Sequence, residues 1–348
     1  MPYFEKKQYF KEIKGISQSE SMKSLENQVV VITGARGLIG SELIDTIMYA
    51  NNNNSLRCKI YAVVRNIEVT KDRFKNHMSS EWFHLVQADI NKDEVLVDED
   101  IDIFIHGASN THPIYYSTKP IETILTNTLG TNNTLKFALE HHCKRYIFLS
   151  SVEVYGENRG DVDAFSEDYC GYIDCNTLRA GYPEGKRAAE SLCQAYRKEY
   201  GIEIVIPRLA RCYGPGLLQE DSKALSQFIR KGLAKEDIIL KSEGKQFYSY
   251  LYVADAVDAI VFMLDKGVDG EAYNVVGENS NISLKELAQL IADLCGTNVA
   301  FDLPGEQEQA GYSTATKAVL VDKKLRKLGW NSNYSLHRGI QDTLLLLK

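Results

Sequence analysis

From residue 28 onward, short apolar runs rich in β-branched residues alternate with longer stretches of mixed polarity. VVVIT (29–33) predicts a buried strand, 41–50 a helix and 51–54 a polar loop. KIYAVV (59–64) predicts a second strand, FHLVQAD (83–89) a third and IDIFIHGAS (101–109) a fourth. A helix follows over 121–140, then a strand at RYIFLSS (145–151). The next helix opens at Tyr182, with Pro183 early and Gly201 at its end, where each is tolerated, and IEIVIPRLA (202–210) is again a strand. Strands and helices alternating at this spacing predict an α/β fold with a doubly wound parallel sheet.

Beyond 210 the pattern changes. Segments 217–240 and 270–348 predict a smaller mixed lobe with helices at 222–234 and 283–295, and VADAVDAIVFML (253–264) predicts a helix returning to the main sheet. The division expected is therefore an extension over 1–27, a main domain over 28–210 rejoined by 240–266, and a second lobe from 211–239 and 267–348. Residues 1–26 are polar and read either as a tail or as a helix on the outside.

Composition narrows the classes. The 348 residues are 44% hydrophobic and 25% charged, ordinary for a globular protein, and the net charge of −7 argues against nucleic-acid binding. No run approaches the roughly 18 apolar residues of a membrane span, and MPYFEKKQYFKEIKG lacks the apolar segment of a signal peptide, so a cytoplasmic protein is expected. The seven cysteines are scattered with no CxxC, which predicts neither a disulfide framework nor a metal site. Cys170 and Cys175, the nearest pair, read as loop or buried thiols, and His141, His142 and Cys143 as a helix end.

The candidate chemistry begins where the first strand runs into Thr33-Gly34-Ala35-Arg36-Gly37-Leu38-Ile39-Gly40 and a helix. A diphosphate needs backbone N–H groups aimed at it without an obstructing Cβ, which Gly34 and Gly37 provide, and the helix N-terminus adds the favourable end of its dipole. Gly40 lets the helix lie close to the sheet. Arg65, ending the second strand, favours NADP over NAD by pairing with a 2′-phosphate; the alternative is a surface arginine. Asp89 is placed to accept from an adenine amine or to cap a turn.

Two later segments suit hydride chemistry. Ser150 and Ser151 end a strand, and Tyr182 and Lys186 lie four apart on one helix face. A phenol with an ordinary pKa of about 10 is a poor base, a fixed ammonium favours its ionised form, and a nearby serine hydroxyl can pass the substrate's proton.

With TGxxGxxG, SSxEVYG and YxxxK in this order, the chain resembles the extended short-chain dehydrogenases/reductases that modify nucleotide sugars, over about residues 28 to 300. The run SEDYCGYIDCNTLRAGYPEGKRAAE is most similar to UDP-glucuronate decarboxylases. The resemblance implies a Rossmann-type sheet with a substrate lobe, a tightly bound NAD or NADP, a nucleotide-diphosphate sugar as substrate and a homodimer. It implies Ser151, Tyr182 and Lys186 as catalytic residues, with Glu153 placing the sugar and assisting proton movement. Cofactor contacts extend by the same resemblance to Ile90, Ala108, Ser109, Asn127, Ser150 and Arg208. Substrate contacts extend to Ser109, Thr111, Val152 and Arg179.

This chain also departs from the family's pattern. Related 4,6-dehydratases carry an acid where Val152 stands, and lacking a general acid costs a factor of roughly 10² to 10⁴. Dehydration is thereby disfavoured against decarboxylation or epimerisation of a 4-keto sugar, with 4-keto-sugar reduction a further alternative. The family's arginine in GKQFYSYLYVAD is replaced by Tyr248, and its asparagine before YGP by Arg211, which either contacts the substrate's anion or pairs with an acidic neighbour. A non-catalytic dinucleotide sensor or scaffold is the alternative from another class; it has no chemical need for Ser151, Tyr182 and Lys186 together.

Overall fold

A strand of a parallel sheet covered on both faces has no solvent side, which is why the opening run is apolar at successive positions. The computed structural model describes residues 1–93, 95–111, 113–217, 221–302 and 316–348. Strands β1 (Val29–Thr33), β2 (Lys59–Val64), β3 (Phe83–Gln87), β4 (Ile103–His106), β5 (Arg145–Phe148), β6 (Ser150–Ser151) and β7 (Glu203–Leu209) follow the predicted order. With β11 (Glu271–Val275) they form one parallel sheet in the order β11-β7-β5-β4-β1-β2-β3, with β6 continuing onto β7. The order reverses between β1 and β4, and the ends of these two strands open the crevice in which such sheets bind ligands.

The helices are α1 (Lys7–Ser17), α2 (Leu38–Asn54), α3 (Pro113–Thr118), α4 (Pro120–Glu140), α5 (Gly181–Tyr200), α6 (Ala224–Leu233), α7 (Val253–Lys266), α8 (Leu284–Cys295), α9 (Lys323–Leu328) and α10 (Leu336–Leu347). None of the described helices is long and apolar enough to cross a membrane. The second lobe holds β8 (Arg211–Tyr213), β10 (Phe247–Tyr252), β12 (Asn281–Ser283) and β14 (Lys317–Ala318) in one small sheet, and β9 (Ile238–Leu240) paired with β13 (Val299–Phe301).

Several expectations are corrected. Residues 51–54 are the last turn of α2 rather than a loop. Asn51 exchanges hydrogen bonds with the Cys58 backbone at 2.7 and 2.9 Å, and Asn54 donates to the Ser17 carbonyl at 2.9 Å. These amides tie the helix end to β2 and α1. The strand expected over 145–151 breaks at Leu149: β5 pairs with both β4 and β7, and β6 continues along β7. Residues 271–275, expected in the second lobe, are the edge strand of the main sheet, and of segment 240–266 only α7 packs on that sheet's helices, while β10 stays in the small lobe. The N-terminal segment is helical: α1 buries Tyr9, Ile13 and Ile16 against α2 and α7.

Candidate functional site

The switch point opens into a cleft of about 940 Å³ that runs from the glycine loop, past the ends of β4 and β6, to α6 and β10 of the small lobe. At its floor the Thr33 hydroxyl lies 2.7 Å from His106 Nδ1 and accepts from the N–H groups of Gly107 and Ala108 at 3.2 and 3.3 Å. The other ring nitrogen of His106 meets Thr131 at 3.1 Å, and burial, with the nearby Lys186 charge, holds the imidazole pKa down at about 3. Thr33 and this neutral histidine therefore lock β1 to β4.

The loop above is shaped by what a Cβ would strike. Gly34 has φ +70°, and a Cβ there would lie 2.6 Å from the Gly107 carbonyl; one on Gly40 would lie 2.5 Å from the Gly34 carbonyl oxygen. Close approach of loop, β4 and α2 excludes side chains at both positions. Gly37 is the N-cap of α2 and, among the described residues, no side chain caps that end, so the N–H groups of its first turn face the cleft. A diphosphate is the kind of group that satisfies them.

Toward the middle of the cleft stand the groups for proton transfer. Tyr182 and Lys186 project from the same face of α5, and both side chains are buried. The Ser151 hydroxyl, which accepts from Glu153 N at 3.3 Å, lies beside the Tyr182 phenol. Burial pushes that phenol above the ordinary tyrosine value; the neighbouring Ser151 hydroxyl opposes the shift and the Glu153 charge adds to it. Lys186 donates to the Leu149 carbonyl at 2.8 Å and lies 4.5 Å from the Phe148 ring centroid. Its removal from water brings its pKa down to about 8, with Glu190 opposing. Tyr116, from the segment after β4, stacks on Tyr182 with centroids 5.0 Å apart and closes the phenol's other side.

Beyond Tyr182 the charge changes. Glu153 lies 3.9 Å from Arg179 and 3.5 Å from Arg211, whose guanidinium sits 3.7 Å from the centroid of the Tyr248 ring. A glycine loop at a helix N-terminus, a buried phenol–serine–lysine group and a charged pocket thus share one cleft. The model of the NAD dependent epimerase/dehydratase family matches residues 30–276. The chain belongs to that family.

Membership makes it an NAD-dependent enzyme. UDP-glucuronic acid decarboxylase 5 of Arabidopsis thaliana is 29% identical over 314 residues, covering 90% of this chain and 87% of the relative. UDP-glucuronic acid decarboxylase 1 of Xenopus tropicalis is 30% identical over 319 residues, covering 90% and 71%. Among solved structures, an epimerase from Methanothermobacter thermautotrophicus superposes with a TM-score of 0.81 at 20% identity, covering 94% of each chain. The UDP-glucuronic acid 4-epimerase of Bacillus cereus, solved with UDP-glucuronic acid and NAD, gives 0.75 at 21%, covering 92% and 98%. These last two likenesses show the fold.

Set against the family's pattern, most sequence-predicted positions line the cleft: the loop from Thr33 to Gly40, Arg65, Asp89, Ile90, Ala108, Ser109, Thr111, Ser150 to Glu153, Arg179, Tyr182, Lys186, Arg211 and Tyr248. Two do not. Arg208 turns away from the cleft, chelating Glu190 at 2.7 and 3.0 Å and donating to Tyr155 and the Glu167 carbonyl. Asn127 stands behind the wall, accepting from Ser109 at 2.9 Å and donating to the Thr123 carbonyl, with Gly185 of α5 closely packed on it. Both brace the wall of the cleft through these bonds. Ser150 is in part the same, since its hydroxyl donates to Glu190 at 2.6 Å. Asp89 holds its turn by accepting from Asn91 N, and Arg65 pairs with Glu122 at 2.9 Å. Sequence reading missed Tyr116 and Glu190. Glu190 was findable, lying one further turn along the Tyr182–Lys186 face.

Proposed function

We propose that this enzyme acts on a nucleotide-diphosphate sugar, oxidising C4 of a uronic acid such as that of UDP-glucuronic acid, and that the 4-keto acid is decarboxylated or epimerised before it is reduced again. The observation that carries the proposal is the buried Tyr182 phenol beside Ser151, with Lys186 one turn along, in the cleft that also holds the glycine loop. The close-packed Gly34 and Gly40 and the uncapped start of α2 fit a dinucleotide diphosphate. When bound, the nicotinamide supplies a hydride acceptor at the start and a hydride donor at the end.

The protein's own part is proton handling. Ser151 bonds the C4 oxygen, Tyr182 takes the hydroxyl proton as C4 becomes a ketone, and the Lys186 charge stabilises the phenolate so formed. A ketone at C4 makes the C6 carboxylate a β-keto acid. Its C5–C6 bond can break to release carbon dioxide, leaving the electron pair in a C4 enolate that takes a proton at C5. In epimerisation that bond stays intact and only the face of C4 reduction changes. Either way, Tyr182 returns its proton to the C4 oxygen. Val152 is buried and apolar, so no acid stands there to expel water. Incubation with UDP-, CDP-, GDP- and dTDP-linked sugars, read by product mass, tests the reading. A product lighter by carbon dioxide marks decarboxylation and an isomer epimerisation; a product lighter by water, or none, overturns it.

Three finer points belong to the same proposal. Arg65 can exchange Glu122 for a 2′-phosphate, so NADP binds as well as NAD, and Arg65→Ser lowers NADP affinity selectively. Ile121, Leu125 and Leu129 expose one apolar face of α4, suited to a homodimer detectable by light scattering. Seven unpaired cysteines suit the reducing cytoplasm.

A further inference from the structure

We infer that Arg211 is the residue by which this cleft distinguishes an acidic sugar from a neutral one. The inference rests on reading the cleft as a nucleotide-sugar site and assigns the substrate's carboxylate to one guanidinium. Arg211 opens β8, and its pairing with Tyr250 of β10 fixes it in the cleft wall. Its guanidinium lies over the Tyr248 ring at 3.7 Å, and one edge reaches Glu153 through Nη2 at 3.5 Å. The other terminal nitrogen, Nη1, is buried and has no hydrogen-bond partner among the described residues.

That combination is costly unless something completes it. A buried charged donor without an acceptor forfeits the water it gave up, and guanidinium geometry calls for a planar anion taking two parallel bonds. Stacking on Tyr248 holds the plane still, so little further ordering is needed when an anion arrives. Charge agrees. Arg179 and Arg211 against Glu153 leave this cluster with one net positive charge, which one carboxylate neutralises.

Position separates a sugar carboxylate from the diphosphate. Tyr116, stacked on Tyr182, lies within electrostatic reach of Glu153, Arg179 and Arg211, so the cluster borders the phenol where the reacting carbon must sit. Arg211 in this account sets which sugar is accepted and leaves the fate of the keto acid to other groups.

The test is calorimetric binding of UDP-glucuronic acid, UDP-glucose and UDP to the NAD-loaded wild type and to Arg211→Met. Wild type should prefer the acid over UDP-glucose by about 10- to 100-fold, the usual range for a charge-assisted pair. The variant should lose that preference while binding UDP-glucose and UDP as before. Equal weakening of all three ligands would place Arg211 on the diphosphate and overturn the inference, as would a preference unchanged in the variant. Should Arg211→Met not fold, the wild-type comparison still decides, because equal affinity for acid and neutral sugar contradicts the assignment. Binding of none of the three refutes the nucleotide-sugar reading itself.

Discussion

Replacing Glu12 by glutamine should stabilise the protein above neutral pH and leave it nearly unchanged in mild acid. Glu12 sits on the buried face of α1, accepts from the Tyr252 hydroxyl at 2.9 Å through one oxygen and has no partner for the other among the described residues. Burial, and after it the Asp342 charge, raises its pKa from 4.5 to about 7, against the Tyr252 bond and Arg338. Glu42 on α2 is pushed well above its ordinary value too, by burial first and then by Glu12 and Asp45, so these carboxyls titrate as a set. Because the folded carboxyl holds its proton more tightly than the unfolded one, stability is full below the unfolded value and falls as pH rises from about 4.5 to about 7. The loss on Glu12 amounts to about 3 kcal/mol. Glutamine keeps an acceptor for Tyr252 and cannot ionise. Urea unfolding of both proteins at about pH 5 and about pH 8.5 should show a difference that opens to about 3 kcal/mol in the variant's favour. Equal differences at the two pH values, or a wild type that gains stability with pH, would refute the reasoning.

Further outcomes follow from the cleft. Lys186→Met should remove turnover yet raise stability at neutral pH. A lysine whose folded pKa falls from 10.5 to about 8 is penalised below that window, by at most about 3 kcal/mol, and losing the Leu149 bond returns about 1 kcal/mol. Thermal unfolding at about pH 7 checks the sign, and the gain should shrink as pH rises from about 8 to about 10.5. Gly34→Ala meets both the positive φ and the Gly107 backbone, so NAD affinity measured by fluorescence should fall by at least about 10-fold in whatever protein folds. Arg208→Met leaves the largely buried Glu190 carboxylate with the Ser150 hydroxyl but without its cation and should cost about 3 kcal/mol in urea unfolding, with the NAD affinity of the folded protein unchanged.

What could be read from the sequence was local. The β-branched runs, the glycine loop at a strand-to-helix junction and the four-residue spacing of Tyr182 and Lys186 each specify their geometry within a few residues. The failures share a different cause. Residues 51–54 look like a loop by composition, but their amides are consumed by partners on β2 and α1 that only the tertiary fold supplies. Glu271–Val275 joins the main sheet across a connection from β7 of more than sixty residues, which short-range pattern cannot signal. Arg208 looks like a cation available to a ligand until Glu190 is seen opposite it. Tyr116 sits in a segment with no periodicity, and its stacking on Tyr182 depends on the path of the chain after β4. Of the two alternatives left open for Arg211, the acidic neighbour is present: one edge of the guanidinium meets Glu153, while Nη1 has no partner among the described residues.

The decisive measurement uses UDP-glucuronic acid carrying deuterium at C4. If the Tyr182 phenol removes the C4 hydroxyl proton while the C4 hydrogen leaves as hydride and later returns, the wild-type product keeps its deuterium at C4. Tyr182→Phe should bind NAD normally but form product about 10² to 10⁴ times more slowly. Deuterium washed out into solvent, or a phenylalanine variant that turns over at the wild-type rate, would contradict the account at its centre.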